Sequence, residues 1–192
     1  MIIGLMGGVG CGKSTVMNYL KQACNAYIIE ADKVAKDIMT PGNDVFNQIA
    51  ENFPEVINNG VIDSNLLANI VFNNQDNLET LNSITHPGTI KEILDRIKNT
   101  KNQLIVVESA ILLGSGIEEY CDELWFVYCD LEKRIERLIK NRGYTREKCI
   151  SIINKQPTDE EYNNYADEYI DNSGNEIETK EQLDYILSKQ YC

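Results

Sequence analysis

The chain lacks the residue patterns that usually build zinc centres and membrane spans. It has one histidine, His86, and six cysteines (Cys11, Cys24, Cys121, Cys129, Cys149, Cys192), none of them paired as CxxC. No zinc-ligand spacing can be assembled from that set, and reduced thiols are expected. No apolar run approaches the ~20 residues that cross a bilayer, so no membrane partner is expected. Basic residues are also scarce: Lys and Arg number 18 against 30 Asp and Glu, a formal charge of -12. A general nucleic-acid binder needs a basic face to displace counterions, so nucleic acid is not an expected partner. If the ligands are phosphates, positive charge must be gathered locally. The apolar opening from Met1 to Gly10 lacks a basic n-region and is dense in glycine, which favours a cytoplasmic protein over an exported one.

The 192 residues, 43% hydrophobic and 25% charged, fit one globular domain with modest insertions. Met1 to Met6 reads as a buried strand, followed by a helix from Lys13 to about Cys24 and a second strand over Ala26 to Ile29. From Asp32 to Thr100 no convincing strand is found, and helical spacing recurs at Val34/Ile38, Val45/Ile49, Leu66/Leu67/Ile70/Val71 and Leu78/Leu81. Leu104 to Val107 and Leu124 to Cys129 are apolar runs of the kind that form central parallel strands. Helices are expected at Leu131 to Asn141, Thr145 to Lys155 and Thr179 to Ser188, with a short strand at Tyr169-Ile170. Pro41, Pro54, Pro87 and Pro157 are expected at element boundaries. The alternation predicts an α/β domain, a parallel sheet flanked by helices, with ligands beyond the carboxyl ends of the strands.

Gly7-Gly8-Val9-Gly10-Cys11-Gly12-Lys13-Ser14 fits the spacing GxxxxGK[ST], follows an apolar strand and opens a helix. Such a P-loop turns successive backbone N–H groups toward phosphates at a helix N-terminus. Gly8, Gly10, Cys11, Gly12, Lys13, Ser14 and Thr15 are therefore candidate nucleotide-binding residues, with Lys13 on the β- and γ-phosphates and Ser14 on Mg²⁺. The expected cofactors are ATP and Mg²⁺. Cys11 is either a redox-sensitive thiol or simply a small tolerated side chain.

A metal-binding carboxylate is expected at a strand end, and Glu108 and Asp130 compete for the role. Asp130 directly precedes a charged helix and is explained as an N-cap, whereas apolar residues follow Glu108. Glu108 is accordingly taken as the metal residue with Ser14. Arg134, Arg137 and Arg142 lie along the charged helix and its following turn. They are either a solvated face paired with Glu132 and Glu136 or arginines that neutralise a transferring phosphoryl group. Taken alone, His86 before Pro87 marks a helix start, and Asp32 after the second strand is either a helix cap or a functional carboxylate.

Together these residues resemble the dephospho-coenzyme A kinase family nearly end to end. The similarity is carried by Gly4 to Thr15, Glu30-Ala31-Asp32-Lys33-Val34-Ala35, His86-Pro87, Glu108-Ser109-Ala110-Ile111-Leu112-Leu113, Gln156 and Ala166 to Gly174. The resemblance implies a nucleoside-monophosphate-kinase-like core (1–30, 101–133, 166–192), a helical substrate region (31–100) and a lid (134–165). It also implies that ATP phosphorylates the ribose 3′-hydroxyl of dephospho-coenzyme A, a small-molecule substrate. Carried over, Lys13 and Asp32 are catalytic, Asp32 as base, His86 and Asp32 contact substrate, and Arg137 and Arg142 belong to the lid. Three positions depart from the family pattern. Ile90 stands where an arginine is common, with Lys91 beside it; Gly114 replaces an acidic residue; and Arg142 lies one place later than the second lid arginine.

Two rivals keep the P-loop. A kinase for a nucleotide or for shikimate would share the loop and lid but not the Asp32, His86-Pro87 and Ala166 to Gly174 segments. A GTP-binding switch would need NKxD downstream of DxxG. Here Asn154-Lys155-Gln156-Pro157 lacks the aspartate and Asp171-Asn172-Ser173-Gly174 lies after it.

Overall fold

Continuous apolar runs become central strands because both of their faces must be covered. The structure, a computed structural model, describes residues 1–109 and 112–190. Its main sheet contains β1 (Ile2–Met6), β2 (Tyr27–Glu30), β5 (Ile105–Glu108), β6 (Glu123–Tyr128) and β7 (Glu168–Asp171), in the order β2-β5-β1-β6-β7. The pairings of β1 with β5, β1 with β6 and β6 with β7 are parallel. β1 is central, and Leu5 aligns with Glu108 on β5 and Trp125 on β6. The loop that leaves β1 therefore emerges beside the carboxyl ends of two neighbouring strands.

The chain divides into two compact units, with the division inside β2. The first is Met1–Ile28 with the chain from Lys101 onward, and the second is Ile29–Thr100. In the first unit, α1 (Lys13–Cys24) and α9 (Glu176–Gln190) place Val16, Leu20, Leu183 and Ile186 against Ile3, Leu5, Val106, Trp125, Val127 and Ile170 of the sheet. The opposite face of β6 carries Phe126, whose ring stacks on Tyr162 of α8 (Asp159–Tyr165) with centroids 5.3 Å apart. α6 (Leu131–Arg142) and α7 (Arg146–Ile153) pack through Ile135, Leu138 and Cys149. α8 has no counterpart in the sequence expectations. Its start is nevertheless written in Thr158-Asp159-Glu160-Glu161, where the Thr158 and Glu161 side chains form a reciprocal capping box.

The second unit contains α2 (Ala31–Ile38), α3 (Asp44–Asn52), α4 (Ser64–Phe72) and α5 (Gln75–Asn99). It also contains a hairpin, β3 (Ile57–Asn58) with β4 (Val61–Ile62), where no strand was expected. Asn59 and Gly60 form its turn, both at positive φ (51° and 79°), the Asn-Gly signature of a two-residue hairpin. Strands of two residues carry too little alternation to stand out.

Pro87 is the larger correction. It lies inside the 25-residue α5, so His86 is mid-helix and not at a helix start. Pro41, Pro54 and Pro157 do fall outside helix interiors. Packing outweighs the lost N–H at Pro87: Ile84 and Ile93 are buried on either side of it. Gly88, the next residue, lets the helix sit so near α3 that a Cβ there would be 2.3 Å from Val45 Cγ2. The Thr85 and Thr89 hydroxyls donate to the Leu81 and Thr85 carbonyls at 2.9 and 2.8 Å, adding side-chain bonds through the same turns.

Candidate functional site

The turn from β1 into α1 cannot be closed by side-chain packing, because it consists mostly of glycine. Its shape is set by hydrogen bonds. The Cys11 N–H donates to the Gly8 carbonyl at 3.2 Å, and the Thr15 N–H donates to the Gly12 carbonyl at 2.9 Å. Gly12 caps α1 with φ 92°, a conformation that an L side chain rarely adopts. The same glycine has a second constraint: a Cβ there would lie 2.1 Å from the Asn172 amide nitrogen.

The outer wall of the loop is held by side chains from elsewhere in the first unit. Gln156 Oε1 accepts the Val9 N–H at 2.7 Å, and Arg134 Nε donates to the Val9 carbonyl at 3.0 Å. Arg134 also reaches Asp159 Oδ1 at 3.4 Å. The Cys11 carbonyl accepts from Asn172 Nδ2 at 2.7 Å and from Arg137 at 3.1 Å. A second Arg137 nitrogen donates to the Asn172 carbonyl at 2.9 Å. Among the described residues, the N–H groups of Gly10, Gly12 and Ser14 have no partner within the chain, while the Lys13 N–H faces the Cys11 sulfur. The loop thus turns carbonyls outward onto cationic and amide donors and leaves amide donors open, the polarity that an anion needs.

Lys13 Nζ lies 2.8 Å from the Gly7 carbonyl and 3.3 Å from Glu108 Oε1. Both side chains are largely covered, at 11% and 14% exposure, so their charges interact strongly. The strand register brings Glu108 to the loop. Asp130, its rival, stands at the N-cap position of α6, but its carboxylate accepts no cap bond. Instead it accepts the Tyr128 hydroxyl at 3.1 Å, which raises the Tyr128 pKa, while the Asp130 N–H donates to Ser173 Oγ at 2.9 Å. Ser14, in the first turn of α1, is exposed. Burial raises the Cys11 pKa despite the opposing charges of Lys13 and Arg134, so the thiol stays protonated and the redox reading loses its chemical basis.

The three arginines part company. Arg134 is 5% exposed, far from the solvated helical face considered for it, and it braces the loop together with Arg137. Both guanidinium contacts of Arg137 go to backbone carbonyls, those of Cys11 and Asn172. Arg142 is exposed in the last turn of α6 and has no hydrogen-bond or ion-pair partner among the described residues. In the second unit, Asp32 is exposed in the first turn of α2, whose N-cap is Glu30, so Asp32 is not the cap. His86 is exposed on α5, where His86, Pro87, Ile90, Lys91 and Leu94 line a recess of about 420 Å³. Ala110, Ile111 and Cys192 lie outside the described residues.

Sequence reasoning gave no role to Asn172, Thr179, Gln156 or Asp159. Asn172 was the most findable, since it directly follows a strand on the side where ligands bind. Gln156 and Asp159 belong to a connection that no local pattern ties to the loop.

Comparison with known proteins identifies the family. The family model for dephospho-CoA kinase matches residues 1–178. The chain belongs to the dephospho-CoA kinase family. It is 39% identical over 193 residues to a dephospho-CoA kinase of Carboxydothermus hydrogenoformans, covering 98% of this chain and 93% of that one. It is 38% identical over 190 residues to the Aquifex aeolicus dephospho-CoA kinase, covering 97% and 96%. Among solved structures, the Campylobacter jejuni dephospho-CoA kinase superposes with a TM-score of 0.73 at 22% identity, covering 98% and 96%. A shikimate kinase from Acinetobacter baumannii shares the fold at a TM-score of 0.59 and 14% identity, covering 100% and 95%. The chain is thus a P-loop kinase, a transferase that uses ATP. Among the described residues, no helix is long and apolar enough to cross a membrane.

Proposed function

We propose that this protein transfers the γ-phosphoryl group of ATP to the ribose 3′-hydroxyl of dephospho-coenzyme A, giving coenzyme A and ADP in the last step of coenzyme A synthesis. The observation that carries the reading is the loop itself: open N–H groups at Gly10, Gly12 and Ser14, with the Lys13 ammonium held at the Gly7 carbonyl. The 3′-oxygen forms the new O–P bond as the bond from the γ-phosphorus to the β,γ-bridging oxygen breaks, and ADP leaves with that electron pair. Asp32 takes the hydroxyl proton, late if the transition state is loose. Lys13 neutralises charge on the β- and γ-phosphates, and Arg142, exposed on α6, supplies further positive charge to them. His86 and the adjoining Lys91 on α5 contact the acceptor substrate.

Ser14 and Glu108 offer a hydroxyl and a carboxylate, the hard oxygen donors that suit Mg²⁺, an ion that usually takes only one or two protein ligands beside phosphates and water. Bound there, Mg²⁺ would supply charge neutralisation at the phosphates. The deciding experiment is ADP release in the presence of Mg²⁺ with dephospho-coenzyme A, adenosine monophosphate or shikimate as acceptor. Strong stimulation by dephospho-coenzyme A alone is expected. Equal stimulation by another acceptor would overturn the assignment.

A further inference from the structure

We propose that Asn172, with its amide oriented by Thr179, is a positioning residue of the nucleotide site: by holding the Cys11 carbonyl outside the loop it aims the Gly12 N–H at a phosphate oxygen. The inference rests on the proposed function for the identity of the anion.

The physical basis is the peptide plane. The Cys11 carbonyl and the Gly12 N–H belong to one trans peptide unit and point in opposite directions. Whatever fixes the carbonyl therefore fixes the N–H. Asn172 Nδ2 makes the shorter of the two bonds to that carbonyl, 2.7 Å against 3.1 Å for Arg137. Its amide has a defined orientation, because the Thr179 hydroxyl donates to Asn172 Oδ1 at 2.9 Å and leaves the NH₂ side facing Cys11. A flipped amide would set oxygen against oxygen at Cys11. Asn172 is 4% exposed and Thr179 0%, so water cannot readily replace a lost bond.

The pair stands where β7 gives way to α9, and that junction is already secured by Ile170, Leu183 and Ile186 in the apolar core. The polar chain from Thr179 through Asn172 to Cys11 therefore ends at the loop. The Gly12 N–H at its far end has no partner among the described residues. Arg134 sets the neighbouring Val9 carbonyl in the same sense, which turns the Gly10 N–H to the open side.

The test is ATP binding without acceptor, measured by calorimetry on wild type, Asn172→Asp, Thr179→Val and Thr179→Ser, with the Gly12 amide followed by NMR. Asn172→Asp keeps the shape but sets a carboxylate against the Cys11 carbonyl. Thr179→Val keeps the packing and frees the amide. A hydrogen bond to a charged phosphate is strong enough that misaiming the N–H should weaken ATP binding by roughly 10-fold or more in Asn172→Asp, with a smaller loss in Thr179→Val. Thr179→Ser should bind like wild type. In wild type the Gly12 amide resonance should move downfield on ATP addition; in Asn172→Asp and Thr179→Val that movement should shrink, while the Michaelis constant for the acceptor changes less than about twofold. If Asn172→Asp unfolds, Thr179→Val decides. Folded variants that bind ATP like wild type would overturn the inference and leave the proposed function standing, as would a Thr179→Val protein that cannot fold. A wild-type protein that binds no ATP would overturn both.

Discussion

The two units are held in different ways. The buried polar and charged residues of the described chain, Ser109, Arg134, Asn172, Ser173 and Thr179, all belong to the first unit. In the second, the buried side chains are apolar, and its candidate functional residues, Asp32 and His86, stand exposed. Buried hydrogen-bond networks fix one geometry at the risk of a large penalty if a member is lost, whereas apolar packing tolerates small shifts. The first unit is built to hold backbone amides in fixed directions. The second is built as a packed platform that carries side chains outward.

The largest effect that would break this contrast concerns Lys13. Lys13→Ala should abolish measurable turnover in the ADP-release assay while leaving the melting temperature near wild type, since Lys13 serves charge and not packing. Near-normal turnover would remove the loop from the chemistry. Asp32→Asn comes next. In the proposed role of general base, Asp32 should account for a kcat loss of ~10²–10⁴-fold, with ATP affinity little changed. A stability loss with normal turnover per folded molecule would make Asp32 structural and leave the second unit without its catalytic residue.

Gly88→Ala sharpens the packing side of the contrast. Alanine gains about 1 kcal/mol of helix propensity over glycine, yet overpacking costs roughly 1–3 kcal/mol, and the new Cβ would sit 2.3 Å from Val45 Cγ2. Net destabilisation is expected in denaturant unfolding, with recovery in the Gly88→Ala, Val45→Ala double variant. A stabilised single variant would show the second unit to be looser than its packing implies.

The smallest effect lies at Asp130. Its carboxylate accepts the Tyr128 hydroxyl and raises that pKa, so the bond's contribution to stability is complete below the unfolded tyrosine value of about 10. The contribution is lost as pH rises through the folded value. Asp130→Asn should lower the Tyr128 midpoint in an ultraviolet titration and cost no more than about 1 kcal/mol near neutral pH. An unchanged titration would mean that the hydroxyl is held elsewhere.

The parts legible in the sequence share one property: each is a local pattern. The apolar runs of β1, β5 and β6 and the glycine spacing before Lys13 are contiguous, and they lead to the right sheet and the right loop. Glu108 is favoured over Asp130 by the character of the residues immediately C-terminal to each, and the strand register places Glu108 beside Lys13. Pro87 is misplaced by a local rule because helix packing outweighs it. Arg134 and Arg137 look like charges on a helix, but their work is done on the carbonyls of Val9 and Cys11, more than a hundred residues away. No spacing within α6 encodes that.

Gly12 carries a consequence for genetics. Its backbone conformation strains an L side chain, and the Asn172 amide fills the space of one. A second-site change that clears space at 172 would leave the strain, and a loop rearrangement that relieves the strain would still meet the amide. A selection for suppressors of a Gly12 substitution should therefore return reversion to glycine in preference to any single compensating mutation.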